Sequence, residues 1–380
     1  MLANMYGPKS GGLKTTINEL SNQYSSIGHK VLIIVPGERT SESISGSISR
    51  FEIKSPKIPF SGGYRIIFNL KNTLQILQEF NPDVIEISDR TTLMIVSLWA
   101  KLKNIPTLFF AHERLDGVIN SFFPKLPFKK ALVTSWNLLT NSLFTNIIAT
   151  TKFAAAEFQD IGSNKLKIVP LGVDLTTFFP NYFELPEELD NKFRGYLVTA
   201  TRVSREKDPE LILEIARELK RQNINLPIIA YGAGPDLFKM QNKAHSEQLN
   251  IYYLGYIANK KHLAEKIARG YVYLAPGPIE TFGLAALEAL ACGTPVICRE
   301  SSALKEIISE NSGYALPRDP ILWVNSILEL ISGDRQAQRI SARERAEGFE
   351  WRTTANSLLS IHRNNLKSSV TTPLVPISNN

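Results

Sequence analysis

The sequence predicts an α/β protein built from two doubly wound domains, and three observations carry that prediction. Short β-branched runs alternate with amphipathic segments along almost the whole chain, the pattern of parallel sheets covered on both faces. A length of 380 residues exceeds what one hydrophobic core usually serves. The alternation also falls into two blocks, parted near residues 172–193 by the turn-rich, acidic stretch "LGVDLTTFFPNYFELPEELDNKF".

The elements follow in order. Strands of the first block are "KVLIIVP" (30–36), "DVIEIS" (83–88), "PTLFFA" (106–111), "NIIAT" (146–150) and "KIVPL" (167–171). Those of the second are "YLVTAT" (196–201), "PIIAYG" (227–232), "IYYLG" (251–255), "YVYLAP" (271–276) and "PVICR" (295–299). Helices between them include residues 65–80 and 208–222, which are apolar at i, i+3, i+4 and i+7. The domains therefore run over 1–180 and 181–350, and the aperiodic tail, 367–380, is expected to be disordered. One defect stands out at the start. The loop and helix in "GPKSGGLKTTINELSNQYSSIGH" should follow a central strand, yet only "MLANM" precedes them. Either that strand is very short or the true start lies upstream, since a missing central strand leaves ladder groups unpaired.

Composition narrows the function. The 43 Lys and Arg against 36 Asp and Glu give a formal charge of +7, and the two signs are interspersed. Without a dense basic tract, nucleic acid is not an expected partner, whereas an anionic ligand suits the balance. Two cysteines, Cys292 and Cys298, make neither a disulfide framework nor a zinc set and fit a reducing compartment. The sequence shows neither a signal-peptide pattern nor about 20 consecutive apolar residues. It reads as cytoplasmic, with freedom to sit peripherally on the inner face of a membrane.

The most informative stretch is "PGPIETFGLAALEALACGTPVI" (276–297). It reads as a loop entering a helix that Cys292 and Gly293 close, with Thr281 as the expected N-cap. The first-turn amides, including those of Gly283 and Leu284, would offer an anion site where no side chain on Gly283 obstructs approach. Glu280 and Glu288 bracket this turn about 10 Å apart along the axis. That spacing suits a grip on two hydroxylated rings either side of a diphosphate, and it is too long for a shared metal. Each acid taken alone is equally an ordinary helix-surface group. "TATRVSREKDPELIL" adds Arg202 and Lys207 in the loop after the first strand of the second block, and "YGAGPDL" adds a glycine turn at Gly232. Ligands of open α/β sheets bind at the C-terminal strand ends, where all of these lie.

Together "TRVSREK", "YGAGP", "LGYI", "APGPIETFGLAALEALACGTPVI" and "PLGVDLTTF" resemble the retaining family 4 (group 1) glycosyltransferases of GT-B fold. The resemblance spans nearly the whole chain. It implies two Rossmann-like domains facing across a cleft, with a final helix over 351–366 crossing back to the first. It also implies that Glu288 holds the ribose of a nucleotide sugar and Glu280 the sugar hydroxyls, while Arg202, Lys207 and the Gly283 and Leu284 amides bind the diphosphate. Phe282, Gly232 and the loop of Gly255, Tyr256 and Ile257 join the donor site. Gly11 and Gly12 match the family's glycine pair, and His112 takes the position of a His that contacts the donor sugar. "SSALKEI" and "HERLDG" resemble bacterial members that transfer mannose, which tilts the expectation to a mannosyl donor; the nucleotide sugar is GDP-mannose or a UDP-sugar. The chemistry needs neither metal nor cofactor: the nucleotide sugar is a co-substrate, and cations with a helix terminus stabilise charge leaving on the phosphate.

The first domain is expected to carry a lipid-linked, glycan or small-molecule acceptor, lined by Asp89, Arg90, Arg114 and Asp116. Residues 117–156 contain no acid, and "SFFPKLPFKK" mixes Phe and Lys, so the segment 122–130 can lie on an anionic membrane surface. Its plainer reading is a core helix with a basic edge. A P-loop NTPase is a poor rival, because "GPKSGGLKTT" has one residue too many before the lysine. A sugar-nucleotide 2-epimerase of the same fold and a non-catalytic nucleotide-sugar-binding protein remain the alternatives.

Overall fold

A computed structural model describes residues 1–7, 11–58, 63–122, 125–180 and 195–370, without the side chains of 121–122 and 368–370. The first domain holds strands β1 (Val31–Gly37), β2 (Ser41–Ser45), β3 (Ile48–Lys54), β4 (Ile85–Ile87), β5 (Thr107–Ala111), β6 (Asn146–Ala149) and β7 (Leu166–Ile168). Its helices are α1 (Gly12–Ser26), α2 (Leu70–Phe80), α3 (Met94–Leu102), α4 (Leu115–Phe122), α5 (Lys129–Leu143) and α6 (Lys152–Gln159). The strands pair as β2-β3-β1 and β4-β5-β6-β7, with only the β2–β3 pair antiparallel.

The chain start joins these two sets. Leu2 bridges Ile34 on one side and Ile87 on the other. The Leu2 amide donates to the Glu86 carbonyl (2.8 Å), its carbonyl accepts from Ser88 (2.8 Å), and Met1 and Ala3 bond Ile34. A very short segment thus fills the central position, and the ladder groups that a missing strand would orphan are paired here. The β2–β3 hairpin was not evident in the sequence, because its residues are mostly polar and half exposed. The helix expected over 65–80 starts only at Leu70, since Asn69 caps it and Arg65 pairs with Lys57.

The second domain is a single parallel sheet in the order β10-β9-β8-β11-β12-β13. Its strands are β8 (Leu197–Ala200), β9 (Ile228–Tyr231), β10 (Ile251–Gly255), β11 (Val272–Ala275), β12 (Val296–Arg299) and β13 (Gly313–Leu316). Helices α7 (Pro209–Arg221), α8 (Leu237–Ser246), α9 (Lys260–Arg269), α10 (Leu284–Ala291), α11 (Leu304–Ile307), α12 (Pro320–Ser332) and α13 (Arg335–Glu347) cover it. All ten strands read from the sequence are present. Most are short runs buried on both faces, while β7 and β10 are partly exposed and the run expected over 167–171 is a strand only through Ile168. Most of the link expected near 172–193 lies outside the described residues.

The last helix, α14 (Trp351–Val370), crosses back to the first domain and packs beside α1. Thr354 donates to the Pro170 carbonyl (2.8 Å) and Asn365 to Asn146 (2.8 Å). At its centre the His362 Nε2 lies 2.8 Å from Glu86 Oε1, which also accepts from the Tyr24 hydroxyl at 2.7 Å. Burial would push the Glu86 carboxyl up, but His362 and Tyr24 outweigh it and hold it below its ordinary range. The helix continues past residue 366 through Val370, so residues 367–370 are helical where disorder was expected, and 371–380 lie outside the described residues.

Candidate active site

The C-terminal ends of β8 and β11 open onto the N-terminus of α10. The N-cap of α10 is Gly283, with φ 87° and ψ 59°, a left-handed conformation that favours glycine. A side chain there would also meet Leu304, 2.2 Å from where its Cβ would stand. Thr281, expected as the cap, does other work. Its hydroxyl donates to the His112 carbonyl (2.5 Å), and its carbonyl accepts from Thr150 (3.0 Å) and Thr151 (2.8 Å). The residue after Glu280 therefore clasps the first domain. With no side-chain cap, the Gly283 and Leu284 amides have no acceptor within the protein among the described residues. Such a helix end carries about half a positive charge.

Cations and acids surround this end. Lys207, on the short turn Arg205–Lys207, hydrogen-bonds the Glu280 carboxylate. Arg202 is partly exposed, pairs with Glu206 at 3.4 Å, and sits 5.1 Å from the ring centre of Tyr64 in the first domain. Behind them Asp208, at φ 47°, accepts from Arg299 (2.9 Å) and Arg318 (2.9 Å), which pins the turn that presents Lys207. Glu288, one turn into α10, has no hydrogen bond or ion pair on its carboxylate among the described residues. Burial pushes its pKa up to about 7; nearby Lys260 opposes the shift, and Glu19 and Asp174 add to it. Lys260 itself reaches across the cleft to Glu19 at 3.1 Å.

The first domain supplies the facing wall. Gly12 opens α1, and a Cβ on it would lie 3.6 Å from Leu284 Cδ1, so the N-termini of α1 and α10 approach each other with Gly11 as the α1 N-cap. His112, just past β5, stacks on Phe110 with ring centres 4.6 Å apart. Its Nε2 lies 3.0 Å from the Ser88 hydroxyl. Burial lowers its pKa to about 4, with Glu86 opposing, so the imidazole is neutral near pH 7. On the donor side Gly255 (φ 80°) borders open space and Tyr256 is exposed, while Ile257 packs against the core.

Other expected site residues are engaged elsewhere. Asp89 accepts from the Thr91 and Leu93 amides, which leaves its buried carboxylate capping the entry to α3. Arg90 donates to Glu157 (2.7 Å), the Glu113 carbonyl (2.7 Å) and Asn137 (3.2 Å), inside the first domain. Arg114 and Asp116 pair with each other, and Arg114 also covers the Phe153 ring. The charges of all four are engaged within the first domain. Phe282 is a core residue, edge-on to Phe349 at 6.0 Å, so its ring does not face a donor. Gly232 is required by the Thr201 carbonyl, 1.9 Å from where a Cβ would stand, which is by itself a packing reason for glycine. Sequence reasoning missed Ser88, Tyr64 and Thr150, whose roles depend on contacts between distant segments.

Two family models match the chain: "Glycosyl transferases group 1" over residues 184–347 and "Glycosyltransferase Family 4" over 10–177. A GDP-mannose-dependent alpha-(1-6)-phosphatidylinositol dimannoside mannosyltransferase of Mycobacterium tuberculosis is 34% identical over 368 residues, covering 94% of each chain. An alpha-monoglucosyldiacylglycerol synthase of Streptococcus pneumoniae is 22% identical, covering 83% of this chain and 74% of the relative. Among solved structures, sucrose-phosphate synthase from Thermosynechococcus elongatus superposes with a TM-score of 0.77 at 17% identity, covering 97% of this chain and 98% of that one. Anabaena Alr3699/HepE in complex with UDP and glucose gives 0.72 at 15% identity, covering 96% and 98%.

Proposed function

The chain belongs to the family 4, group 1 glycosyltransferases, and from that membership we propose that it moves mannose from GDP-mannose to a lipid-linked acceptor, with retention and without a metal. It is an enzyme that transfers a sugar from a nucleotide sugar. The names of its relatives support the finer reading: one uses GDP-mannose and acts on a phosphatidylinositol mannoside, another makes a glucosyldiacylglycerol.

One observation carries the chemistry: Arg202 and Lys207 follow β8, the unpaired amides of Gly283 and Leu284 follow the adjacent β11, and Lys207 reaches across to Glu280. Breaking the anomeric C–O bond leaves charge on the β-phosphate, and this constellation stabilises it where it develops. Lys207 is already paired with Glu280. An arriving diphosphate competes for that ammonium and releases Glu280 toward the sugar hydroxyls. Neutral His112 can hydrogen-bond the sugar without setting a positive charge beside an electron-poor anomeric carbon. Glu288 takes the ribose, and the acceptor hydroxyl attacks from the face the phosphate leaves.

The test is nucleotide release from GDP-, UDP- and ADP-sugars with EDTA present, followed by the anomeric configuration of a transferred product. GDP-mannose should turn over, and Arg202→Ala should cut kcat by about 10²–10³. Epimerised sugar nucleotide, an inverted product or loss of turnover in EDTA would each refute part of the proposal.

A further inference from the structure

Helices α3 and α5 pack side by side in the first domain, and each exposes an apolar stripe, α3 in addition to the face it buries with Met94, Val96 and Ala100. On α3 the stripe is Ile95, Leu98 and Leu102, and on α5 it is Leu132, Trp136 and Leu139, all exposed at helical spacing. Leu102 is 84% exposed and Phe128, at the N-cap of α5, 86%. Phe128 sits at φ 54°, ψ 24°, a conformation that Gly or Asn adopts at lower cost. Folding gives no reason for a bulky ring there. Trp136 donates its indole N–H to the Arg90 carbonyl (3.0 Å), which ties its polar edge to the protein.

The segments that build this face carry charges of one sign. Residues 91–112 and 117–156 contain six lysines and no Asp, Glu or Arg. Lys101, Lys103 and Lys130 are exposed beside the stripes. Protruding single apolar side chains set among lysines match an interface between water and anionic headgroups; a flat, neutral patch would instead suit a second copy of the chain. Among the described residues no helix is long and apolar enough to cross a membrane. The face also connects to the active site. Helix α4 runs from the His112 loop toward α5, and its Gly117 lies against Ile279 of the donor loop, with a Cβ position 3.5 Å from Cγ2.

We propose that the α3–α5 face docks on an anionic lipid bilayer, with Leu102, Phe128 and Leu132 entering the interface and the lysines meeting the headgroups. This deepens the lipid-acceptor reading, since docking would hold the acceptor cleft at the surface where such a substrate resides. The test is cosedimentation of the full chain with vesicles of phosphatidylcholine alone, or of equimolar phosphatidylcholine and phosphatidylglycerol. The parent should bind the anionic vesicles and not the neutral ones. Combined Lys101→Gln, Lys103→Gln and Lys130→Gln should weaken binding about a hundredfold. Leu102→Ser with Phe128→Ser and Leu132→Ser should weaken it about tenfold or more. Donor hydrolysis in vesicle-free solution, which none of these residues touches, should stay at the parent level. Equal binding to neutral vesicles, or unchanged binding by both variants, would overturn the proposal. So would self-association in sedimentation velocity that the serine variant abolishes, because the face would then bind a second copy. Vesicle binding without donor turnover would overturn the catalytic reading and leave this one standing.

Discussion

Glu288→Gln should stabilise the ligand-free protein while weakening its hold on nucleotide, and both effects should grow as the pH rises through the window in which Glu288 ionises. The Glu288 carboxyl is lifted from 4.5 to about 7 because burial disfavours its charge. An acid with a raised folded-state pKa does not burden the fold below its unfolded value. Its cost grows as the pH rises through the window between the two values and is complete above about 7. The full displacement corresponds to about 3 kcal/mol. Partial exposure of the side chain reduces a realistic figure to about 1–2 kcal/mol. The amide isostere removes that cost, so at pH 8 the variant should melt about 3–6 °C higher. Near pH 4.5 the two proteins should melt together. Nucleotide reverses the order. An ionised carboxylate accepting ribose hydroxyls contributes about 1.5–3 kcal/mol, so Glu288→Gln should raise the Kd for GDP about 10–100-fold at pH 8. Parent affinity should fall as the pH drops from 8 to 6, since bound ribose requires the charged form, while variant affinity stays flat. Differential scanning fluorimetry with and without GDP across this range measures both. An equal melting shift at both ends of the range would remove burial as the cause. Unchanged GDP affinity would remove Glu288 from the ribose.

Three further outcomes are expected. Ser88→Ala should lower kcat about 3–10-fold with little change in KM, because the hydroxyl at His112 Nε2 fixes which ring nitrogen carries the proton; Ser88→Thr should restore much of it. His362→Ala should cost about 3 kcal/mol in urea unfolding near pH 7 by stranding the buried Glu86 charge. Glu86 is held below the usual carboxylate range, so that penalty should shrink as acid protonates it. Thr281→Val should slow transfer while leaving GDP affinity near the parent value, since the lost bond runs to the His112 carbonyl and not to donor groups. Stopped-flow binding alongside turnover separates the two.

The two-domain α/β architecture was legible because buried strands and amphipathic helices have distinct periods, and all ten strands read from the sequence occur. The meeting of Lys207 with Glu280 was legible for a related reason. Arg202, Lys207, Glu280 and Gly283 each follow a strand end directly, so local order alone places them in one layer. What stayed hidden depends on side-chain partners far along the chain. Arg90 resembles a cleft arginine until Glu157 and Asn137, 67 and 47 residues away, are seen to hold it. Phe282 follows Thr281 in a ligand loop, yet its side chain turns to Phe349. The central strand was hidden by brevity, for one residue that bridges both sides leaves no periodic trace.

Thr281 shows why the donor loop cannot be understood from the second domain alone. Its neighbour Glu280 holds Lys207, and its own hydroxyl and carbonyl hold the first domain at His112, Thr150 and Thr151. A second bond set lies close by: Glu306 accepts from the Lys152 (2.9 Å) and Phe153 (2.8 Å) amides and so completes the N-terminus of α6 from across the cleft. Opening the domains would strip α6 of two amide partners and release the His112 carbonyl at the same moment. The same bonds that join the domains therefore set the position of His112 relative to the N-terminus of α10. If the donor lies between Glu280 and Glu288 as proposed, its binding is coupled to the alignment of the first domain through the loop 276–283, and closure is then a condition for catalysis rather than a shield around it.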